Sequence, residues 1–253
     1  MNGRVDSHQH FWRLDRGDYG WLTPALEPIY RDYLPADLAP LLARSGIGST
    51  ILVQAAPTVE ETRYLLGLAA THEFIAGVVG WVDFAGDDAA GTIAELSSDA
   101  RLVGLRPMIQ DIDDPMWMLR PELAPAVEAM IDHDLVFDAL IRPEHLLPLR
   151  DGDLQLWKTR MASVAAETSA VCKLSGLATE AGSASPVALA ACVDHLLETF
   201  GPERLMWGSD WPVCELVCSY EEWHQASEML LVQLSGAERA RIYAGTAREF
   251  YGF

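Results

Sequence analysis

The sequence predicts an α/β protein whose parallel strands form a closed barrel. Two observations support this class. Apolar runs rich in Val, Ile and Leu alternate with helical segments, which is the pattern of repeated βα units. The chain has 253 residues, and a barrel of this kind needs about 250. Because no linker, repeat or low-complexity segment divides the chain, we expect one domain over residues 1–253.

Seven segments have the apolar composition of buried parallel strands. They are RVDSHQHF (4–11), STILVQA (49–55), IAGVVGWVDF (75–84), LVGLRPMIQ (102–110), LVFDALI (135–141), AVCKLSG (170–176) and RLMWGSDW (204–211). The stretches 12–34 and 111–121 are rich in Pro, Asp, Trp and Tyr. We predict that both are loops that follow strands, where the active sites of such barrels are built.

Helix start signals lie between the strands. Three pairs match the capping-box pattern, in which a Ser or Thr caps the backbone three residues further on. They are Thr58 with Glu61, Ser219 with Glu222, and Ser235 with Glu238. Ser185 precedes Pro186, and proline is favoured at the first helical position. Each signal predicts the beginning of a helix.

The bulk composition excludes several classes of partner. The net charge is -19, with 37 acidic and 18 basic residues, so the surface repels nucleic acid. No apolar run approaches the ~20 residues of a membrane helix, and the N-terminus lacks the pattern of a signal peptide. The four cysteines show no metal-finger spacing. These features predict a cytoplasmic protein whose partner is neither nucleic acid nor a membrane.

Two histidines on the first predicted strand are the first candidates for chemistry. His8 and His10 are two residues apart, so on a strand both side chains point to the same face, together with Asp6. Two converging imidazoles suit a divalent metal such as zinc. They equally suit two hydrogen-bond donors that polarise a substrate carbonyl. A purely structural pair is the third alternative.

An aspartate at the end of the last predicted strand is the second candidate. Asp210 lies in WGSDWP (207–212), where the chain leaves the barrel mouth. A carboxylate at this place can take a proton from water or bind a metal. The other interpretation is the start of a turn. The presence of the two histidines favours catalysis.

Five further residues are candidates for substrate binding. A cation on a buried strand needs an anion or a ligand, and this applies to Arg106 and Lys173. Gln54 lies near a strand end and is expected to line the mouth. The flat rings of Trp12 and Trp211 lie at strand ends and could stack on a sugar ring, although packing is the commoner fate of tryptophan.

The motifs VDSHQHFW, LVGLRPMIQD, VCKLSGLATEA and LMWGSDWPV make the chain resemble the amidohydrolase superfamily, and within it the branch of sugar-acid lactonases. The resemblance implies a (β/α)8 TIM-type barrel. It also implies that His8 and His10 polarise a lactone carbonyl, directly or through a metal such as zinc. Asp210 would activate the attacking water and pass its proton to the ring oxygen, and Arg106 would contact the substrate. Some members of this branch work without a bound metal.

One βα unit of this barrel is missing from the sequence after residue 149. The family has eight strands, and after the fifth come a helix and a strand that ends in an Asp-His pair. Here RPEHLLPL (142–149) leads directly into RDGDLQLWKTRM (150–161). A helix and a strand together need about 15 residues. The explanations are a segment omitted from this sequence, a true deletion, or an unusual closure. We favour omission, since two open strand edges are costly against a stability of about 5–15 kcal/mol.

These observations lead to one main hypothesis and two alternatives. The main hypothesis is the hydrolysis of a sugar-acid lactone, with Asp210 as general base and His8 and His10 as donors or metal ligands. The first alternative is a metal-dependent decarboxylase of the same superfamily. The second is a non-catalytic, degenerate barrel, which the missing strand favours.

Overall fold

The protein is described by a computed structural model that covers residues 3–141 and 154–253. Seven strands occur in these residues. They are β1 (Arg4–Gln9), β2 (Ile47–Val53), β3 (Ile75–Gly80), β4 (Leu102–Leu105), β5 (Val136–Phe137), β6 (Cys172–Leu174) and β7 (Leu205–Trp207). All strand pairs are parallel, as predicted.

The strands follow one another around a curled sheet. The first five pair in the order β1-β2-β3-β4-β5, and β6 pairs with β7. A bridge between Gln9 and Trp211 joins the end of β1 to the chain that leaves β7. The order around the sheet is therefore β5-β4-β3-β2-β1-β7-β6, which is the order of a parallel barrel and confirms the predicted fold class.

The open edges of this arrangement are β5 and β6. In residues 3–141 and 154–253 no ladder joins these two strands. The segment 142–149, where the sequence lacks a βα unit, lies outside the described residues. The described strands are thus the seven that the apolar pattern predicts.

Four of the helices begin at the start signals that the sequence predicts, and the described residues contain ten α-helices in all. They are α1 (Pro35–Ser45), α2 (Val59–Thr71), α3 (Ala89–Leu96), α4 (Ala124–Asp132), α5 (Leu154–Glu167), α6 (Leu177–Ala181), α7 (Pro186–Phe200), α8 (Tyr220–Leu230), α9 (Gly236–Ala240) and α10 (Thr246–Tyr251). The side chains of Thr58, Ser219 and Ser235 each accept a hydrogen bond from the backbone three residues on. Ser185 precedes Pro186 at the start of α7 without a side-chain cap. No helix of the described chain has the length and apolarity to cross a bilayer.

All seven described strands end earlier at their carboxyl ends than the apolar pattern predicts. β4 ends at Leu105 instead of residue 110, because Pro107 has no N–H for the ladder and restricts the residue before it. Arg106 therefore lies directly after the strand and not within it. β7 ends at Trp207, and the polar residues that follow turn towards the mouth.

The core has an inner and an outer part. Val5, Ile51, Val53, Val79 and Met206 pack inside the sheet. A larger apolar cluster fills the space between the sheet and the helices. The predicted loop at residues 12–34 contains only short 3-10 turns, and it is anchored by paired backbone hydrogen bonds between Trp12 and Tyr33. These hydrogen bonds join the beginning of the loop, just after β1, to its end.

Candidate active site

Three side chains converge at the carboxyl ends of β1 and β7. The Nε2 atoms of His8 and His10 are 3.2 Å apart. Oδ1 of Asp210 lies 3.7 Å from Nε2 of His8 and 3.5 Å from Nε2 of His10. Among the described residues these three form a group that could hold a metal ion. Strand alternation and the strand-end position of Asp210 predicted this convergence.

The backbone around Asp210 is fixed on both sides of the residue. Its N–H donates to the carbonyl oxygen of His8 at 2.8 Å, and its own carbonyl accepts from the N–H of Cys214 at 3.0 Å. Asp210 has a φ of 57°, in the left-handed region that non-glycine residues adopt at a cost of about 1–2 kcal/mol. Such strain persists only where the surroundings enforce it, and it is concentrated at functional sites.

The contacts of the two imidazoles define which nitrogen carries the proton. Nδ1 of His10 lies 2.8 Å from the carbonyl oxygen of Val53, which can only accept, so Nδ1 carries the proton and Nε2 has a free lone pair. Nη1 of Arg106 lies 3.2 Å from Nε2 of His8. A guanidinium only donates, so Nε2 of His8 also presents a lone pair.

Burial favours the neutral form of both histidines. Burial is the main cause that lowers the pKa of His8 well below its ordinary value, and the charges of Lys173, His10 and Arg106 lower it further. Burial likewise lowers the pKa of His10, against the opposing effect of Asp210. Neutral imidazole is the form that binds metals.

The donor set fits a zinc ion. Two nitrogens at 2.0–2.1 Å from a tetrahedral zinc are roughly 3.3–3.4 Å apart, and the three atoms of this site are 3.2, 3.5 and 3.7 Å apart. A metal ion at this place would replace Arg106 as the partner of the Nε2 lone pair of His8. The nearby positive charges of Arg106 and Lys173 repel a metal ion at this place, so we expect the three residues to bind a metal weakly.

Arg106 joins the three residues, and Gln54 holds it there. The Arg106 side chain is buried and also donates through Nη2 to the backbone oxygen of Gln54. Nε2 of Gln54 in turn donates to the backbone oxygen of Arg106 at 2.8 Å. Gln54 therefore supports the position of Arg106, while its own Oε1 has no hydrogen-bond partner among the residues that the structure describes.

Lys173 lies near the site but is paired with another residue. Its Nζ forms an ion pair with Oδ2 of Asp138, and the hydroxyl of Tyr251 lies 3.5 Å from the same oxygen. Burial alone would raise the pKa of Asp138, but Lys173 and Arg106 lower it below its ordinary value. This ion pair connects β6 with the residue that follows β5. The sequence predicts that Lys173 needs an anion or a ligand, but it does not identify Asp138 as that anion.

The two candidate tryptophans lie in the packed wall of the mouth. Trp12 is 0% exposed and Trp211 is 1% exposed. The ring nitrogen of Trp12 donates to Arg31, and that of Trp211 donates to Glu215. Because both rings are covered, neither presents a free face to a sugar in this structure, and both pack edge-on against Tyr33.

Gly208 provides the close approach between β7 and His8. A Cβ at residue 208 would lie 2.7 Å from Cβ of His8 and 3.2 Å from its backbone nitrogen. We expect Gly208→Ala to destabilise the protein by about 1–3 kcal/mol and to lower kcat by displacing His8. Thermal unfolding and kinetics measure both effects. The control is Gly67→Ala in α2, where an added Cβ would meet no atom within 4 Å. Alanine is expected to stabilise this helix relative to glycine. Unchanged stability and kcat in Gly208→Ala would show that the approach is unimportant.

Similarity to known proteins extends over the whole chain. An L-fucono-1,5-lactonase from Burkholderia ambifaria is 41% identical over 283 residues, covering 99% of this chain and 96% of that protein. An L-fucono-1,5-lactonase from Burkholderia multivorans is 36% identical and covers 98% and 95%. The crystal structure of a Burkholderia multivorans amidohydrolase with bound zinc has a TM-score of 0.91 at 35% identity, covering 99% of each chain.

The comparisons also bear on the missing unit. The alignment with the Burkholderia ambifaria protein is 283 residues long, more than the 253 of this chain, so it contains positions at which this chain has no residue. The amidohydrolase profile matches in two stretches, residues 5–151 and 142–253. The two stretches overlap at residues 142–151, where the sequence lacks a βα unit. Together they span nearly the whole sequence, and the chain belongs to the amidohydrolase family.

Proposed function

We propose that the protein hydrolyses the lactone ring of a sugar acid, with Asp210 as the general base. The observation that carries this proposal is the position of Oδ1 of Asp210 at 3.5 and 3.7 Å from the two imidazole nitrogens. A carboxylate, two neutral imidazoles and a guanidinium then face one small space. Two L-fucono-1,5-lactonases that match along the whole chain support a sugar-acid lactone as the substrate class. The enzyme would act in carbohydrate metabolism.

In the first step Asp210 takes a proton from water. The water oxygen forms a bond to the carbonyl carbon of the lactone, and the π electrons of the carbonyl move to its oxygen. Arg106, whose Nη1 lies 3.2 Å from Nε2 of His8, is a fixed positive charge that stabilises the negative oxygen that develops. Because the guanidinium is buried and held by Gln54, it is oriented before the reaction starts.

In the second step the tetrahedral intermediate collapses. The carbonyl re-forms, the bond between the carbonyl carbon and the ring oxygen breaks, and the ring oxygen takes the proton from Asp210. The product is an open-chain hydroxy acid, which ionises in water. Asp210 thus ends in its starting state, as a general base that returns its proton as an acid must.

His8, His10 and Asp210 are the residues that would hold a divalent ion, with zinc as the best fit to the donor set. A bound zinc supplies Lewis-acid polarisation of the lactone carbonyl. The tautomer of His10 is set by the carbonyl of Val53, which is the kind of support that orients metal-binding histidines. Lys173 lies close enough to affect the charge of the site and contributes to binding a polar substrate.

The function is tested by screening sugar-acid lactones with a pH indicator, before and after treatment with a chelator. We expect acid release from an aldonolactone such as L-fucono-1,5-lactone, a lower rate after chelation, and recovery with added zinc. Circular dichroism before and after chelation controls for unfolding. An unchanged rate after chelation would assign carbonyl polarisation to Arg106 alone. Release of carbon dioxide from an aromatic acid would favour the decarboxylase alternative, and inactivity on every compound would favour a non-catalytic barrel.

A further inference from the structure

Asp6 is a buried carboxylate on β1 that the proposed reaction does not use. It is 0% exposed and lies two residues before His8 on the same side of the strand. Oδ1 accepts from the N–H of Ser209 at 2.8 Å and from the N–H of His8 at 3.2 Å. Oδ2 accepts from the hydroxyl of Tyr220 at 3.1 Å. Oδ1 of Asp6 therefore contacts the backbone of both parts of the active site, at His8 on β1 and at Ser209 next to Asp210.

We propose that Asp6 is a positioning residue that sets the place of Asp210 relative to His8 through the backbone of Ser209. This inference rests on the proposed function, in which Asp210 and the histidines act together. Ser209 immediately precedes Asp210, and the N–H of Asp210 donates to the carbonyl of His8. The N–H groups of Ser209 and Asp210, in the segment that follows β7, therefore both donate to β1. The first donates to the side chain of Asp6 and the second to the backbone of His8.

The backbone of Asp210 needs this support. At a φ of 57° the residue occupies a conformation that the chain would leave if it were free to relax. In the described residues β7 pairs with β6 on one side, and on the other side one isolated bridge joins Gln9 to Trp211. Beside this bridge, backbone hydrogen bonds run from the N–H of Asp210 to His8 and from the N–H of His10 to Trp211. Oδ1 of Asp6 adds a further connection at Ser209, one residue before Asp210.

Tyr220 fixes the carboxylate from the other side. It is the first residue of α8 and is fully buried. Its hydroxyl occupies Oδ2, so that Oδ1 is directed at the two backbone N–H groups. The register of α8 against β7 is separately held by the ring nitrogen of Trp223, which donates to the backbone oxygen of Gly208 at 3.0 Å. Asp6 is therefore held in one orientation.

The main alternative is that Asp6 contributes only to stability. Kinetics separate the two roles. A misplacement of about 1 Å at a reacting group costs about 10²-fold in rate, whereas a lost structural hydrogen bond lowers the melting temperature and leaves the folded enzyme at full rate. Asp6→Ala removes all three contacts. Asp6→Asn retains Oδ1 as an acceptor for both N–H groups, and its amide can donate to Tyr220.

The experiment measures kcat, KM and thermal unfolding for Asp6→Ala, Asp6→Asn and the control Ser227→Ala. Ser227 lies on α8, as Tyr220 does, and its hydroxyl accepts a hydrogen bond from the ring nitrogen of Trp207 on β7. It therefore connects the same helix and strand as the Asp6 contacts without touching Asp6. We expect kcat of Asp6→Ala to fall by about 10–100-fold with KM changed less than about 3-fold. Asp6→Asn should recover most of kcat, and Ser227→Ala should lower only the melting temperature. Equal kcat in all three variants would overturn the proposal.

Two measurements keep the test decisive. If Asp6→Ala does not fold, Tyr220→Phe removes one contact and is expected to lower kcat by several-fold without changing KM. A crystal structure of the folded variant shows whether the Asp210 carboxylate has moved from its place beside His8 and His10. An unmoved carboxylate overturns the inference even if the wild type does not hydrolyse lactones. Inactivity of the wild type overturns only the proposed function.

Discussion

Asp210→Asn is expected to lower kcat for lactone hydrolysis by about 10²–10⁴-fold, the usual contribution of a general base. The amide cannot take a proton from water, yet it has the size and shape of the carboxylate. Asparagine is also tolerated in the left-handed region better than most residues, so the backbone at a φ of 57° should be retained. Initial rates and thermal unfolding measure the two effects separately.

The chain provides a matched control for this substitution. Asp134 is the other non-glycine residue with a positive φ among the described residues, at 53°, and it lies exposed between α4 and β5. Asp134→Asn therefore makes the same chemical change on the same kind of backbone, away from the site. It should leave kcat unchanged. Full turnover by Asp210→Asn would show that another group accepts the proton.

His10→Ala is expected to lower kcat by about 10²–10³-fold, the range found when stabilisation of a developing oxyanion is lost, because His10 is one of the three residues that would hold the ion that polarises the carbonyl. Nε2 of His10 lies 3.2 Å from Nε2 of His8 and 3.5 Å from Oδ1 of Asp210. The substitution removes the side chain that lies beside both His8 and Asp210, and it removes the hydrogen bond to the carbonyl of Val53. Zinc binding, measured by isothermal titration calorimetry, should weaken in parallel because one of three donors is lost.

The exposed His133 provides the control, and His133→Ala should keep both activity and zinc binding. If His10→Ala loses activity but binds zinc as tightly as the wild type, His10 is not a metal ligand. If it keeps its activity, the assignment of the catalytic group is wrong.

The arrangement of the candidate catalytic residues could largely be predicted from the sequence. Period-two alternation on a strand places His8 and His10 on one side, and the structure finds their Nε2 atoms 3.2 Å apart. Parallel strands bring their carboxyl ends to the same edge, which predicted that Asp210 lies beside them. Strand lengths were less predictable. Apolar residues continue past the last ladder hydrogen bond, as at β4, where Pro107 ends the pairing.

The supporting contacts could not be predicted in this way. The contact between Asp6 and Ser209 joins residues 203 positions apart, and Lys173 pairs with Asp138 from a different strand. A single sequence carries no signal for such pairs, because both partners are common polar residues. Trp12 illustrates the opposite case. Its position suggested a binding surface, but the aromatic residues of its own loop bury it.

The central claim is that this protein opens a lactone by attack of water at the carbonyl carbon. Its most direct test is mass spectrometry of the product formed from L-fucono-1,5-lactone in isotopically labelled water, at several enzyme concentrations. We predict an acid that has gained one water, carries one labelled oxygen in its carboxyl group, and forms at a rate proportional to enzyme concentration. Product formation no faster than in the absence of enzyme would contradict the claim.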